Sequence, residues 1–231
     1  MLASAAMSVS LPAEDLAAAR PRPQPRPGRI VGHPLFWLGI VALGVAVPLG
    51  TRLLAPPAPP LPILGTLPPF ALTDQDGRGF GSAELDDHVW LAGFIFTRCP
   101  TICPAITATM GRIQHRARGL EPAFHLVSFS VDPAWDTPAR LSAYAARHKA
   151  SPRMWSFVTG PLDAIKATVV DGLKIAIGAP EGEQDFASVF HGTHFVLVDQ
   201  QRRIRGYYDS SSPEVVDRVL HDAAMLINRG R

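Results

Sequence analysis

VWLAGFIFTRCPTICP, Val89 to Pro104, joins the two signals that decide the fold. Its first half, Val89 to Phe96, is an unbroken apolar run with β-branched and aromatic side chains, and it predicts a buried strand. Its second half holds the only two cysteines of the chain, Cys99 and Cys103, each followed by proline. ITATMGRIQHRARGL, Ile106 to Leu120, then reads as a helix. The cysteines therefore stand where a central strand gives way to a helix.

Working outward, Phe124 to Val131 predicts a second buried strand. Asp136-Thr137-Pro138 is a helix start, with a capping side chain and then proline at the first helical position, and the helix is expected to run to about Lys149. Trp155 to Val158 reads as a strand and Pro161 to Gly172 as a helix. Phe195–Asp199 and Ile204–Tyr208 form a predicted hairpin, followed by a helix over Pro213 to Asn228 capped by Ser212. Ahead of these, Phe70 to Thr73 suggests a short strand and Asp76-Gly77 a turn. This alternation predicts an α/β sheet with helices on its faces. In such sheets chemistry gathers at the carboxyl ends of strands.

The N-terminal quarter has a different composition. Ile30 to Thr51 contains one histidine and no charged residue, long enough to span a hydrocarbon core of roughly 30 Å. Arg20, Arg22, Arg26 and Arg29 precede it, while only Arg52 follows closely. The positive-inside bias predicts a cytoplasmic, disordered leader over residues 1–29 and a transmembrane anchor over 30–54, with Trp37 at the interface. A cleaved signal peptide is the competing reading; its apolar core is usually shorter. Residues 55–69 are dense in proline and predict a semi-rigid spacer. Residues 70–231 would then form the domain outside the cytoplasm.

Net charge is +2, and the excess belongs to the N-terminus, where residues 1–54 carry five arginines against Glu14 and Asp15. The remainder is nearly balanced and offers no basic block of the kind that binds nucleic acid. Two cysteines are too few for a disulfide scaffold, and a bridge across so short a loop constrains little unfolded-state entropy. The pair reads as redox-active or metal-binding instead. If Cys103 lies in the first helical turn, the two sulfurs converge, and the helix N-terminus favours thiolate over thiol. Two soft thiolates suit Cu(I), and a histidine joining them would also accommodate Cu(II).

Three motifs together resemble the Sco/SenC family of membrane-anchored copper chaperones for cytochrome c oxidase assembly. They are FTRCPTICP (Phe96 to Pro104), SVDPAWDTP (Ser130 to Pro138) and HGTHFVLVD (His191 to Asp199). The FALTDQDGRGF opening, Phe70 to Phe80, and the anchor-then-domain layout also fit, so that the resemblance covers residues 68–210. It implies a thioredoxin-like fold over 70–231 and one copper ion held by Cys99, Cys103 and His191. His194 is the rival ligand; the family's spacing before the apolar run at Phe195 favours His191, leaving His194 as an ordinary strand residue. Asp132 and Asp136 match the family's DPxxDTP motif and are expected to act behind the ligands, although a helix cap alone would explain Asp136. The resemblance also implies oxidase subunit II as recipient and an upstream copper donor or thiol reductant. Many relatives carry Asp between the cysteines, where this chain has Thr101.

Two other functions compete. A thiol–disulfide oxidoreductase would use the same thiolates to attack a partner disulfide. Thioredoxin-like reductases usually carry a proline just before the strand facing their cysteines, and HGTH has none. A thiol peroxidase needs one activated cysteine, which the paired CPTICP fits poorly. Trp135 and the loop from Ile177 to Val189 are candidates for touching a partner.

Overall fold

The computed structural model describes residues 33–54, 59–175 and 193–229. The chain divides into two compact units, 1–58 and 59–231. Helix α1, Pro34–Leu54, belongs to the first. It begins at a proline, whose missing N–H is one of those a helix start leaves unpaired in any case. The apolar run read from Ile30 is therefore helical from Pro34 onward, and residues 1–32 lie outside the described part. Pro34–Thr51 has a mean hydropathy of 1.8, and none of its residues is buried. Twenty-one residues at about 1.5 Å each give roughly 30 Å, the thickness of a hydrocarbon core.

The second unit is built on one sheet. Its strands are β1 (Gly65–Thr66), β2 (Ala71–Asp74), β3 (Gly79–Gly81), β4 (Val89–Ile95), β5 (Phe124–Ser130), β6 (Trp155–Thr159), β7 (His194–Val198) and β8 (Arg203–Asp209). Side by side they run β1-β8-β7-β4-β5-β6-β2-β3. β4, β5 and β6 are parallel, and β7 lies antiparallel on the other side of β4. Every residue of β4 is buried, which is why its sequence does not alternate. The helices are α2 (Ile102–Arg116), α3 (Pro138–Arg147), α4 (Leu162–Lys166) and α5 (Val215–Arg229). α4 runs on into a π-helical turn over Ala167–Gly172.

Packing follows the helical period. Val216, Val219, Ala223, Leu226 and Ile227 line the buried face of α5, which rests on α2, β4 and β8. α2 comes close to β4 because Gly93 has no side chain. A Cβ there would meet Met110 Cε at 3.3 Å, tighter than ordinary contact. Thr137, not Asp136, caps α3: its hydroxyl accepts from the Arg140 N–H at 3.4 Å. α5 begins at Val215, two residues after the proline read as its start, and the Val215 N–H donates to the Ser212 carbonyl.

Part of the stretch 55–69, read as a spacer, joins the sheet. Residues 63–67 lie between Pro62 and Pro68 and keep their N–H groups, and they pair with β8: Leu64 donates to the Ile204 carbonyl and Leu67 to that of Arg202, both at 2.8 Å. Leu67 is buried in the core. Arg205, itself buried, ties down the preceding residues by donating to the carbonyls of Pro62 and Leu61 and to Asp199. Burial opposes ionisation of Asp199, but donors from Arg203, Arg205 and Gln201 outweigh it and lower its pKa. The Asp76-Gly77 turn is present, with Gly77 at φ +79°. It leads into β3, an unpredicted strand with glycine at two of its three positions.

His125 projects from β5 and shares a hydrogen bond with the Ser156 hydroxyl at 3.0 Å. Burial, with a smaller contribution from His88, lowers its pKa from 6.5 to about 4. The folded state thus resists a proton that the unfolded chain accepts. Stability to urea is expected to fall as pH drops from about 6.5 towards about 4, and His125→Gln should flatten that part of the profile.

Candidate metal centre

α2 starts at Ile102, so Cys103 and Pro104 fall in its first turn. Pro104 costs nothing there, because the first four N–H groups of a helix have no partner within it. Thr101 occupies the capping position but makes no side-chain cap. The Cys99 sulfur does so instead. The Cys103 N–H donates to it at 3.4 Å, and the N–H groups of Thr101 and Ile102 also bear on it. Cys99 is itself fixed by donating its N–H to the Phe96 carbonyl at 3.1 Å. A sulfur thus sits where helix N-termini hold anions.

The two thiols are electrostatically unlike. Burial opposes ionisation of Cys99, but the converging N–H groups outweigh it and lower its pKa. Burial pushes the Cys103 thiol well up, with Cys99 and Asp136 adding to the effect, and a backbone bond from Phe96 opposes it only in part. Cys99 is 9% exposed and Cys103 0%. Neither is in a disulfide, and their side chains lie within hydrogen-bonding reach of each other. One sulfur therefore faces the rim and the other lies behind it.

Asp136 is fully buried at the carboxyl ends of β4 and β5. It accepts from the Thr97 N–H at 3.0 Å, from the Thr97 hydroxyl, and from the Ser130 hydroxyl at 2.6 Å. Thr97 stands two residues past the end of β4, and Ser130 ends β5 in register with Ile95. Asp136 therefore braces the segment that carries Cys99. Asp132 lies nearer the surface, where it accepts from Arg98 Nε at 2.7 Å beside Cys99. Trp135 is exposed, with the guanidinium of Arg140 at 3.7 Å from its ring centre and that of Arg98 at 5.2 Å. Behind Cys103, the Thr107 hydroxyl donates to the Cys103 carbonyl and meets the Tyr144 hydroxyl, both at 2.8 Å.

β7 begins at His194, which is exposed and has Asp209 opposite it on β8. Because β7 is antiparallel to β4, with Ala92 opposite Val196, the start of β7 lies at the carboxyl end of β4, the end from which the cysteine segment departs. His191 and the loop Ile177 to Val189 fall outside the described residues. Among the described residues, no three His, Cys, Asp or Glu side chains are grouped to hold a metal ion, and the cysteines stand as a pair. Thr97, Arg98 and Ser130 were not singled out from sequence, although all three lie within the quoted motifs. A buried Asp needs donors, and hydroxyl residues ending adjacent strands were the available signal.

The SCO1/SenC family model matches residues 64–227, and the chain belongs to that family. It is 34% identical over 155 residues to the SCO1 protein homolog of Bacillus subtilis, covering 67% of this chain and 79% of that protein. Among solved structures it is similar to BsSco, described as a member of the Sco family of cytochrome c oxidase assembly proteins with a disulfide switch. That match has 32% identity and a TM-score of 0.64, covering 73% of this chain and 97% of the other. The copper-bound ScoI of Bradyrhizobium japonicum shares the fold at 21% identity and a TM-score of 0.58, over 70% of this chain and 99% of that one. The sheet and helices of residues 59–231 are accordingly thioredoxin-like.

In the reduced, metal-free protein, iodoacetamide is expected to modify Cys99 at least about tenfold faster than Cys103, because the thiolate is the reactive form. Peptide mass spectrometry over a pH series checks this, and Cys99 should level off below the free-thiol value of about 8.5. Asp136→Asn turns an amide towards groups that already donate and should cost roughly 1–3 kcal/mol of urea stability. Asp132→Asn, whose partner Arg98 is partly exposed, should cost less than about 1 kcal/mol.

Proposed function

We propose that this protein is a membrane-anchored copper-binding assembly factor that delivers copper to the binuclear copper site of cytochrome c oxidase subunit II. The observation that carries the reading is the cysteine pair of a SCO1/SenC chain, with one sulfur cradled by a helix N-terminus and the other buried in that helix's first turn. Copper is the cargo, held by the sulfurs of Cys99 and Cys103 and the imidazole of His191. Thiolates suit Cu(I), and an added imidazole suits Cu(II). The copper-bound relative supports the choice of metal.

What supports His191 is the direction of β7. Its first residues lie at the sheet end that carries the cysteines, and His191 stands two residues before Thr193, within about 7 Å of chain. Asp136 holds the ligand segment in place and Asp132 holds Arg98 beside it. The cargo leaves by exchange of ligands, beginning at Cys99, the sulfur nearer solvent. Helix α1 is the anchor, the arginines ahead of it fix the N-terminus in the cytoplasm, and residues 59–231 work on the other side. Both thiols must be reduced before metal is loaded, so a donor of copper or of electrons acts upstream.

The unlike thiols also favour a second reading, thiol–disulfide exchange with oxidase cysteines. The Cys99 thiolate would attack one sulfur of a partner disulfide, forming a mixed disulfide and releasing a partner thiolate. Cys103 would then lose its proton and attack the Cys99 sulfur, releasing the second thiolate and leaving this protein oxidised.

Titration of the reduced full-length protein with Cu(II) in detergent is expected to reach one equivalent with intense sulfur-to-copper absorption. His191→Ala should abolish that colour and His194→Ala should keep it. Undiminished colour in His191→Ala would overturn the ligand assignment. Brisk metal-free reduction of a peptide disulfide would move the second reading ahead of the first.

A further inference from the structure

Residues 55–231 carry nearly equal numbers of acidic and basic side chains, yet the cations are not evenly spread. Arg112, Arg116, Arg118 and Lys149 line a cleft of about 580 Å³ between α2, the end of α3 and the first turn of α5. Its lining includes one carboxylate, Asp217, which Arg116 already engages at 2.6 Å. An adjoining cleft of about 340 Å³ shares Arg118 and Lys149, adds Arg153, and has Glu121 as its carboxylate. The two clefts share Gln114, Arg118 and Lys149 and form one trough whose lining holds five cations and two carboxylates. Neither cysteine lines it, although Thr107, whose hydroxyl donates to the Cys103 carbonyl, does.

The trough is also held in shape. Lys149 has φ +54° and closes α3: its N–H donates to the Ala146 carbonyl at 3.1 Å and that of Ala150 to the Ala145 carbonyl at 3.0 Å. Gln114 braces that turn from both sides: its amide nitrogen donates to the Lys149 carbonyl at 3.2 Å and its oxygen accepts from the Ser151 N–H at 2.7 Å. The N-terminal turn of α5 adds the positive end of a helix to the same cleft.

We propose that this trough binds a phosphate-bearing ligand. A multiply charged anion would balance the excess of cations, and arginine forks match phosphate oxygens in pairs. A volume of about 580 Å³ suits a small molecule or a lipid headgroup. The phosphate comes either from an anionic phospholipid of the membrane or from a soluble phosphate compound.

The lysines provide a direct readout. The chain has three, Lys149, Lys166 and Lys174, all exposed, and only Lys149 lines the trough. Full-length protein is labelled with an amine-reactive acetyl ester, and each lysine's rate is followed by mass spectrometry. Pyrophosphate, added to protein in neutral detergent, is expected to slow Lys149 severalfold and to leave Lys166 and Lys174 unchanged. In nanodiscs, slowing of Lys149 with phosphatidylglycerol but not with phosphatidylcholine alone identifies a lipid source. Slowing by pyrophosphate alone identifies a soluble one. The double substitution Arg112→Gln with Arg118→Gln should abolish the protection at unchanged Tm; if Tm falls, Arg118→Gln alone is read in the same way. Equal labelling of Lys149 in every condition, equal slowing of all three lysines, or full protection in the variant overturns the proposal.

Discussion

Asp136 buries a carboxyl group between the ends of two parallel strands, where donors from Thr97 and Ser130 offset the loss of water. Much at that end of the sheet depends on this arrangement. β4 and β5 stay in register to their last residues, so the chain leaves β4 at a fixed point and Cys99 follows at a fixed position. The Asp132 carbonyl accepts from the N–H groups of both Trp135 and Asp136, which folds the connection to α3 back over the strand ends. A buried polar network of this kind either satisfies all its members or fails, since low dielectric strengthens a made bond and penalises an unmade one alike.

From that fixed point the chain enters α2, and the helix makes the two sulfurs unequal. Cys99 stands outside the helix and gathers its unpaired N–H groups; Cys103 stands inside the first turn and is shut off from water. Identical side chains four positions apart thus acquire opposite tendencies to ionise. That inequality serves either chemistry discussed above. A cargo ion needs one ligand near solvent from which exchange starts, and a dithiol needs one sulfur that attacks and one that waits. Arg98, Trp135 and Arg140 form a stacked, positively charged rim beside the pair, tied to the same network through Asp132.

Much of the scaffold was readable because its signals are local. The apolar run at Val89–Ile95, the Thr137-Pro138 start of α3 and the hairpin of β7 and β8 each announce themselves within a few residues. The misreadings share a cause. The segment around Gly65–Thr66 was hidden by surrounding prolines, and β3 by its glycines; both are strands because a neighbouring strand offers hydrogen bonds. Composition describes what a segment prefers alone, and an edge strand is decided by its partner.

By itself, the sequence determined the alternation of strands and helices, the strand-to-helix position of the cysteines and the apolar helix ahead of the domain. These depend on periodicity and on the length of an apolar run. Tertiary structure alone decided that Asp136 is a buried brace and not a helix cap, that Arg98 pairs with Asp132, and that cations from α2 and from the turn after α3 share one trough. Asp136 meets Thr97 across 39 positions of chain, and Lys149 meets Gln114 across 35. No local pattern encodes such meetings, because they form only when packing of the sheet and its helices brings distant segments to one place and removes the water that would otherwise satisfy them.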